Sequence, residues 1–194
     1  MGLSVRDISL NLLRWLFGAV FLFSGLTKAV DPVGTSVFVE KYLTTYGLDA
    51  LMEFALPIAL ALATVELTLG IAVIVNAFHR LTLRISLLFV ALFTLITLLS
   101  ATVLPIGDCG CFGDAVKLSP WATFWKNIGL LVVVVVLLRC DHRNYTTSLT
   151  QIGLCLVGLL FALGLNLYAL RHQPLVDFLP YKVGTDLRTE VAEE

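Results

Sequence analysis

Five long apolar stretches govern what this chain can fold into. They run over 8–29, 51–78, 83–104, 120–138 and 149–170. A helix advances about 1.5 Å per residue and needs about 20 mostly apolar residues to cross the hydrocarbon core of a bilayer. Each stretch meets that length. Of the 194 residues, 58% are hydrophobic and only 14% charged, too few charges to cover a water-soluble surface of this size. The net charge of −1 supplies no basic stripe for nucleic acid. The expected fold is an all-α membrane protein, with residues 1–172 as a polytopic transmembrane domain and 173–194 as an extracytoplasmic tail.

The fourth stretch contains the β-branched run Val132 to Val136. In water that would favour a strand, but an open strand in lipid leaves its backbone groups unpaired, so a helix is expected. Ser119 before Pro120 reads as its N-cap and first helical position. The first stretch resembles a signal sequence in having Arg6 and Arg14 before an apolar run. Lys28 spoils the small-residue cleavage pattern, so an uncleaved first helix is preferred. Arg6, then His79, Arg80 and Arg84, then Arg139, His142 and Arg143 fall on alternate connections. The positive-inside rule assigns these to the cytoplasm, giving an N-in, C-out chain in a bacterial inner membrane. Between Pro32 and Ala50, Phe38, Tyr42 and Tyr46 recur every fourth residue. That spacing predicts a short amphipathic surface helix, or a lid packed on the bundle.

The outer connection before the fourth span reads Asp108-Cys109-Gly-Cys111-Phe-Gly-Asp114. Two thiols around one glycine can close a very small, strained disulfide ring, and strained exposed disulfides exchange readily. A redox-active pair is the preferred reading. A static disulfide is one alternative. A metal site is another, weakened because no histidine or second cysteine pair stands nearby. Cys140 belongs to the opposite end of the fourth span and Cys155 to the interior of the fifth, so neither is expected to join this chemistry. Two charges lie deep in the spans, Arg14 and Glu66. Their estimated depths predict a contact between them, either locking the first two spans together or forming a proton or headgroup site. Lys28 lies near the level of the cysteine loop, as a snorkelling interface lysine or as a cation favouring a thiolate. Asn127 is a candidate for a hydrogen bond between helices.

These residues give the chain a resemblance to the DoxX-like superfamily and, within it, to the MauE family of methylamine utilisation. It is carried by Arg14, Gly18, Phe21, Ser24-Gly25 and Lys28, by Asp31-Pro32, by Glu66-Leu67 with Gly70, by the Cys-Gly-Cys-Phe-Gly core, and by Asn127. The resemblance implies a four-helix transmembrane core, here with a fifth helix added, in a small bacterial membrane protein. It implies thiol–disulfide redox with a thioredoxin-like partner outside the membrane; with the residues read above, Cys109 and Cys111 are the candidate exchanging pair and Lys28 and Glu66 the candidate assisting charges. Other DoxX-like members are associated with quinone reduction, which makes Arg14, Glu66 and Asn127 the candidate quinone or polar site. No metal site is expected. The fifth helix and the tail resemble extended members in which a soluble domain follows, so the expectation is a shortened form or a tail that docks a partner. A non-enzymatic anchoring protein and a small transporter stand as alternatives.

Overall fold

The computed structural model describes residues 5–103, 118–141 and 145–172. The cysteine pair Cys109 and Cys111, the basic residues His142 and Arg143, and the tail from Gln173 lie outside the described residues. Within them the chain is helical, with no strand. The helices are α1 (Val5–Val30), α2 (Pro32–Thr45), α3 (Ala55–Val75), α4 (His79–Thr102), α5 (Pro120–Cys140) and α6 (Leu149–His172), with a 3-10 segment, Asp49–Phe54, leading into α3. Five of these are long and apolar enough to cross a membrane: α1, α3 with its 3-10 lead, α4, α5 and α6. The protein is a multi-pass, all-α membrane protein, as its five apolar stretches require. The run Val132 to Val136 is helical inside α5. Ser119 caps that helix by accepting from the Ala122 amide at 3.2 Å, with Pro120 in the first turn.

The surface is inverted relative to a soluble protein. Leu88, Trp125, Val157 and Leu160 are each more than 60% exposed, whereas Arg14, Lys28 and Glu66 are 5% exposed or less. Lipid solvates the former; the latter must find partners inside. The central core joins Phe17 and Phe21 of α1 to Leu69 and Val73 of α3, Leu83 and Val90 of α4, and Val134 and Leu137 of α5.

α1 and α3 form the most extensive helix pair, followed by α4 with α5 and α3 with α6. Small residues make the first of these possible. A Cβ at Gly25 would lie 2.6 Å from the Leu67 amide nitrogen, and one at Gly70 would lie 2.9 Å from that of Leu22. Without water, helices associate through close packing, so glycine at these two positions lets the backbones approach.

α2 starts where α1 ends. Asp31 caps it, accepting from the Gly34 amide at 2.8 Å. Its opening residues Pro32, Gly34, Thr35 and Ser36 are buried, and the helix packs mainly on α3. The expected helix between Pro32 and Ala50 is therefore present and packed on the bundle. Phe38, Tyr42 and Tyr46 are half-buried. Tyr46 donates to the Ile96 carbonyl at 3.4 Å and lies 3.2 Å from Ser100 Oγ, tying the end of α2 to the last turns of α4.

Candidate functional site

Two buried polar clusters stand at opposite ends of α1. The first is built on Lys28. A helical side chain points toward the N-terminus of its own helix, so Lys28 reaches back into the bundle from the end of α1. Its Nζ donates to Ser24 Oγ at 2.7 Å and to Glu66 Oε2 at 2.8 Å, with the Ser24 carbonyl at 3.5 Å. Both ion-pair partners are nearly sealed, their side chains 4% and 6% exposed. A buried charge is tolerated only when paired and hydrogen-bonded, and here each charge is the other's partner. Lys28 is thus not a snorkelling interface lysine.

Beside the pair lies a chamber of about 30 Å³ bounded by Ser24, Glu66, Phe93, Lys126 and Asn127 among others. That is room for a water-sized group. Asn127 is 3% exposed, and its Nδ2 has no hydrogen-bond acceptor. A buried amide left so is a free-energy cost, which a ligand or water bearing an acceptor would relieve. Asn127 lies seven residues into α5 from Pro120, about 10 Å below the start of that helix.

The second cluster is at the other end. Arg14 donates through Nη2 to Asp141 Oδ2 and, at 2.9 Å, to Tyr145 Oη; Nη1 reaches Asn11 at 3.3 Å. Tyr145 also donates to Asp141 Oδ2 at 3.2 Å, and its ring lies 5.1 Å from the guanidinium carbon. His79 packs on the same ring at 4.6 Å and holds Asn76 Oδ1 at 2.6 Å through Nδ1. Its Nε2 is 3.9 Å from Asp141. Asn76, with φ 63°, ends α3 in the left-handed conformation, a common helix stop. Gln151 of α6 then donates to the Val75 carbonyl at 2.8 Å. The cluster fastens α1, the α3–α4 turn, the end of α5 and the start of α6.

The expected Arg14–Glu66 contact is not made, and Arg14 is not part of a shared site with Glu66 and Asn127. Arg14 pairs with Asp141 and Glu66 with Lys28. The reasons are register and side-chain direction. Gly25 packs against Ala63 and Leu67, so Glu66 lies level with it, about eleven residues or 16 Å along α1 from Arg14. α1 and α3 also run antiparallel, so Arg14 points toward one end of the bundle and Glu66 toward the other. Lys28, fourteen residues and about 21 Å along α1 from Arg14, shares the direction of Arg14 but starts from the far end, and so meets Glu66. In the sequence His79 counts only as a basic loop residue and Ser24 only as part of the family resemblance, while Asp141 and Tyr145 carry no expectation. An acid directly after an apolar span, among basic residues, was the available signal for Asp141. Cys140 is exposed at the end of α5 and Cys155 half-buried in α6; both are free thiols.

Fold and site together define a polytopic α-helical membrane protein with a buried ion pair and an unsatisfied amide facing a small chamber. The sequence profile of the family described as methylamine utilisation protein MauE matches residues 6–139, and the chain belongs to that family. It is also similar to Protein TlpB of Flavobacterium psychrophilum, at 31% identity over 133 residues, covering 64% of this chain. The match spans only 35% of that relative's length. No solved structure matches the chain.

Proposed function

We propose that the protein is a membrane thiol–disulfide oxidoreductase whose Cys109 and Cys111 exchange electrons with an extracytoplasmic thioredoxin-like protein. The observation that carries this reading is a coincidence at one end of the bundle. The segment bearing both cysteines connects the end of α4, at Thr102, to the start of α5, at Pro120. The Tyr46 bond to the last turns of α4 marks that end as the one where α2 finishes, beside the Lys28 end of α1. The buried Lys28–Glu66 pair and the Asn127 amide stand a few turns below it. Membership of the MauE family supports the same reading.

In the reaction, a partner thiolate attacks one sulfur of the Cys109–Cys111 disulfide. The S–S bond breaks, a mixed disulfide forms, and the other cysteine leaves as a thiolate. The partner's second thiol then attacks the mixed disulfide, which leaves the partner oxidised and Cys109 and Cys111 as a dithiol. Two electrons and two protons have moved; every step is reversible. Lys28, already neutralised by Glu66, holds that carboxylate in place rather than acting on a thiolate, and Glu66 is the candidate proton carrier. A membrane quinone is the proposed acceptor for the two electrons, meeting Glu66 and Asn127, the two members of the expected set that share a chamber. In this reading the transmembrane domain is 1–172, the tail 173–194 is extracytoplasmic, and His79, Arg80, Arg84 and Arg139 face the cytoplasm of a bacterial inner membrane.

The test is trapping. Cys109→Ser and Cys111→Ser are made singly and together in cells. In the reverse direction the thiolate left in a single variant opens the oxidised partner's disulfide, and no second cysteine remains here to release it; one single variant is therefore expected to accumulate a mixed disulfide, seen as a slower band on a non-reducing gel, and the double variant to lose both the band and function. A fully functional double variant would instead leave an anchoring protein that holds its partner without exchanging electrons.

A further inference from the structure

α3 and α4 are joined by a short turn, yet they touch far less than α1 and α3 or α4 and α5 do. Beyond the turn they part, and the second half of α2 lies across the gap. The space so enclosed is about 450 Å³, within the about 300–1,000 Å³ typical of ligand sites. Leu43 of α2, Ile58 and Leu62 of α3, and Ile96 of α4 wall it. The α3 residues belong to the opening turns of that helix and Ile96 to the closing turns of α4, so the space lies toward the end of the bundle where α5 begins. Leu92 and Leu99 also line it and are themselves exposed, so it opens sideways to the surroundings of the bundle. In a membrane protein those surroundings are lipid. Its hydroxyls are engaged already. Thr97 donates to the Phe93 and Thr94 carbonyls at 2.9 and 3.0 Å, Tyr46 reaches the Ile96 carbonyl and Ser100 Oγ, and Tyr42 has a partner of its own. No side chain of this lining carries a buried polar atom that lacks a partner.

We infer that this space holds one fatty-acyl chain of a membrane phospholipid, whose head stays at the membrane surface. Three observations select the occupant. The walls offer contact but ask for no hydrogen bond, so what enters is plain hydrocarbon, and an apolar cavity of this kind does not hold water. The opening faces the bilayer, where phospholipid chains are the commonest hydrocarbon. The ring of Phe93, packed on Phe89 at 4.7 Å, stands between this space and the chamber beside Asn127, so the chain meets neither Asn127 nor Glu66. It is therefore a structural lipid and carries no electrons. Helices in a membrane associate through close packing, and the chain supplies the dispersion contacts that the parted α3 and α4 do not give each other. It also backs the second half of α2, whose printed polar tie to α4 is Tyr46. Because the head makes no contact, the site accepts phospholipids regardless of head group. The inference does not rest on the redox reading.

The experiment uses the full chain in lipid nanodiscs with a diazirine midway along one acyl chain of two probes, a phosphatidylglycerol and a phosphatidylcholine. Labelled residues are located by mass spectrometry. Both probes are expected to label Leu62 and Ile96 as strongly as the lipid-facing Leu160 of α6, and far above the sealed Leu67 and Val73. Leu62→Trp fills the space and should bring the Ile96 label down to the Leu67 background while the Leu160 label persists. Leu43→Trp, from the α2 wall, should do the same, and thermal unfolding shows that each variant is folded. An excess of unlabelled phospholipid should lower the Ile96 label, whereas an excess of an isoprenoid alcohol should leave it. Asn127→Leu and the Cys109→Ser, Cys111→Ser double variant should both label as the parent does, so a failure of the redox reading leaves this result standing. Background labelling at Leu62 and Ile96 overturns the inference, as does a label that survives in both folded tryptophan variants. So does a label that depends on the head group, falls in Asn127→Leu, or is displaced from Ile96 by the isoprenoid.

Discussion

Lys28 illustrates how a single residue is fixed by what surrounds it. Its ammonium sits beside Glu66 at 2.8 Å with both side chains buried, so the charges stand or fall together. Removing one partner from a buried pair typically costs about 3–5 kcal/mol, because the other charge is stranded. Glu66→Leu and Lys28→Met should therefore each lower thermal stability strongly, whereas the double variant should be milder than the sum of the two. Thermal unfolding in detergent checks this; a double variant as unstable as the summed singles would mean the pair is not an isolated unit. At the other end, Tyr145→Phe keeps the ring over Arg14 but deletes the hydroxyl shared with Arg14 and Asp141. It should cost about 1 kcal/mol. Asp141→Ala strands Arg14 and should cost several times more, measured in the same unfolding assay.

At the scale of elements, the α1–α3 pair is the frame on which the Lys28 site is hung. Gly25 and Gly70 sit where a side chain would strike the opposite backbone. Gly25→Leu should separate the two helices, displace Lys28 from Glu66, and destabilise by at least the about 1–3 kcal/mol of an overpacked core. Gly129 of α5 has nothing within 4 Å of a built Cβ. Gly129→Ala should leave stability unchanged or raise it by up to about 1 kcal/mol, because alanine is the better helix former and meets nothing there. A comparable loss from the two substitutions in one unfolding series would rule out this account of the interface. The resemblance residues Gly18, Ser24, Gly25, Lys28, Glu66, Leu67 and Gly70 thereby acquire a physical meaning: they are what lets α1 and α3 touch and what pairs the charges between them.

For the whole molecule, the proposed orientation puts Cys109 and Cys111 outside and the exposed Cys140, at the far end of α5, inside. After mild reduction of intact cells, a membrane-impermeant maleimide is expected to modify Cys109 and Cys111. Cys140 should react only after the membrane is permeabilised. Labelling of Cys140 from outside would reverse the topology and remove the redox reading with it.

Much of this was legible in the chain itself. The five apolar stretches and the Ser119–Pro120 start of α5 are local properties, set by hydropathy and helix-end chemistry, and they determine an all-α membrane protein before any packing is known. The cysteine motif was equally plain as a motif, although its residues lie outside the described structure. Which charges pair was not legible. Depth counted along the sequence put Arg14 and Glu66 within reach of each other, but the packed register sets Glu66 level with Gly25, side chains on antiparallel helices point in opposite directions, and only the packed bundle sends Arg14 to Asp141 and Lys28 to Glu66. The chamber beside Asn127, and the Phe93 wall it shares with the apolar space, likewise exist only once α1, α3, α4 and α5 stand together. Hydropathy fixes where a helix lies, residue by residue; a cavity or an ion pair depends on distances between segments far apart in the chain, and those the tertiary structure alone decides.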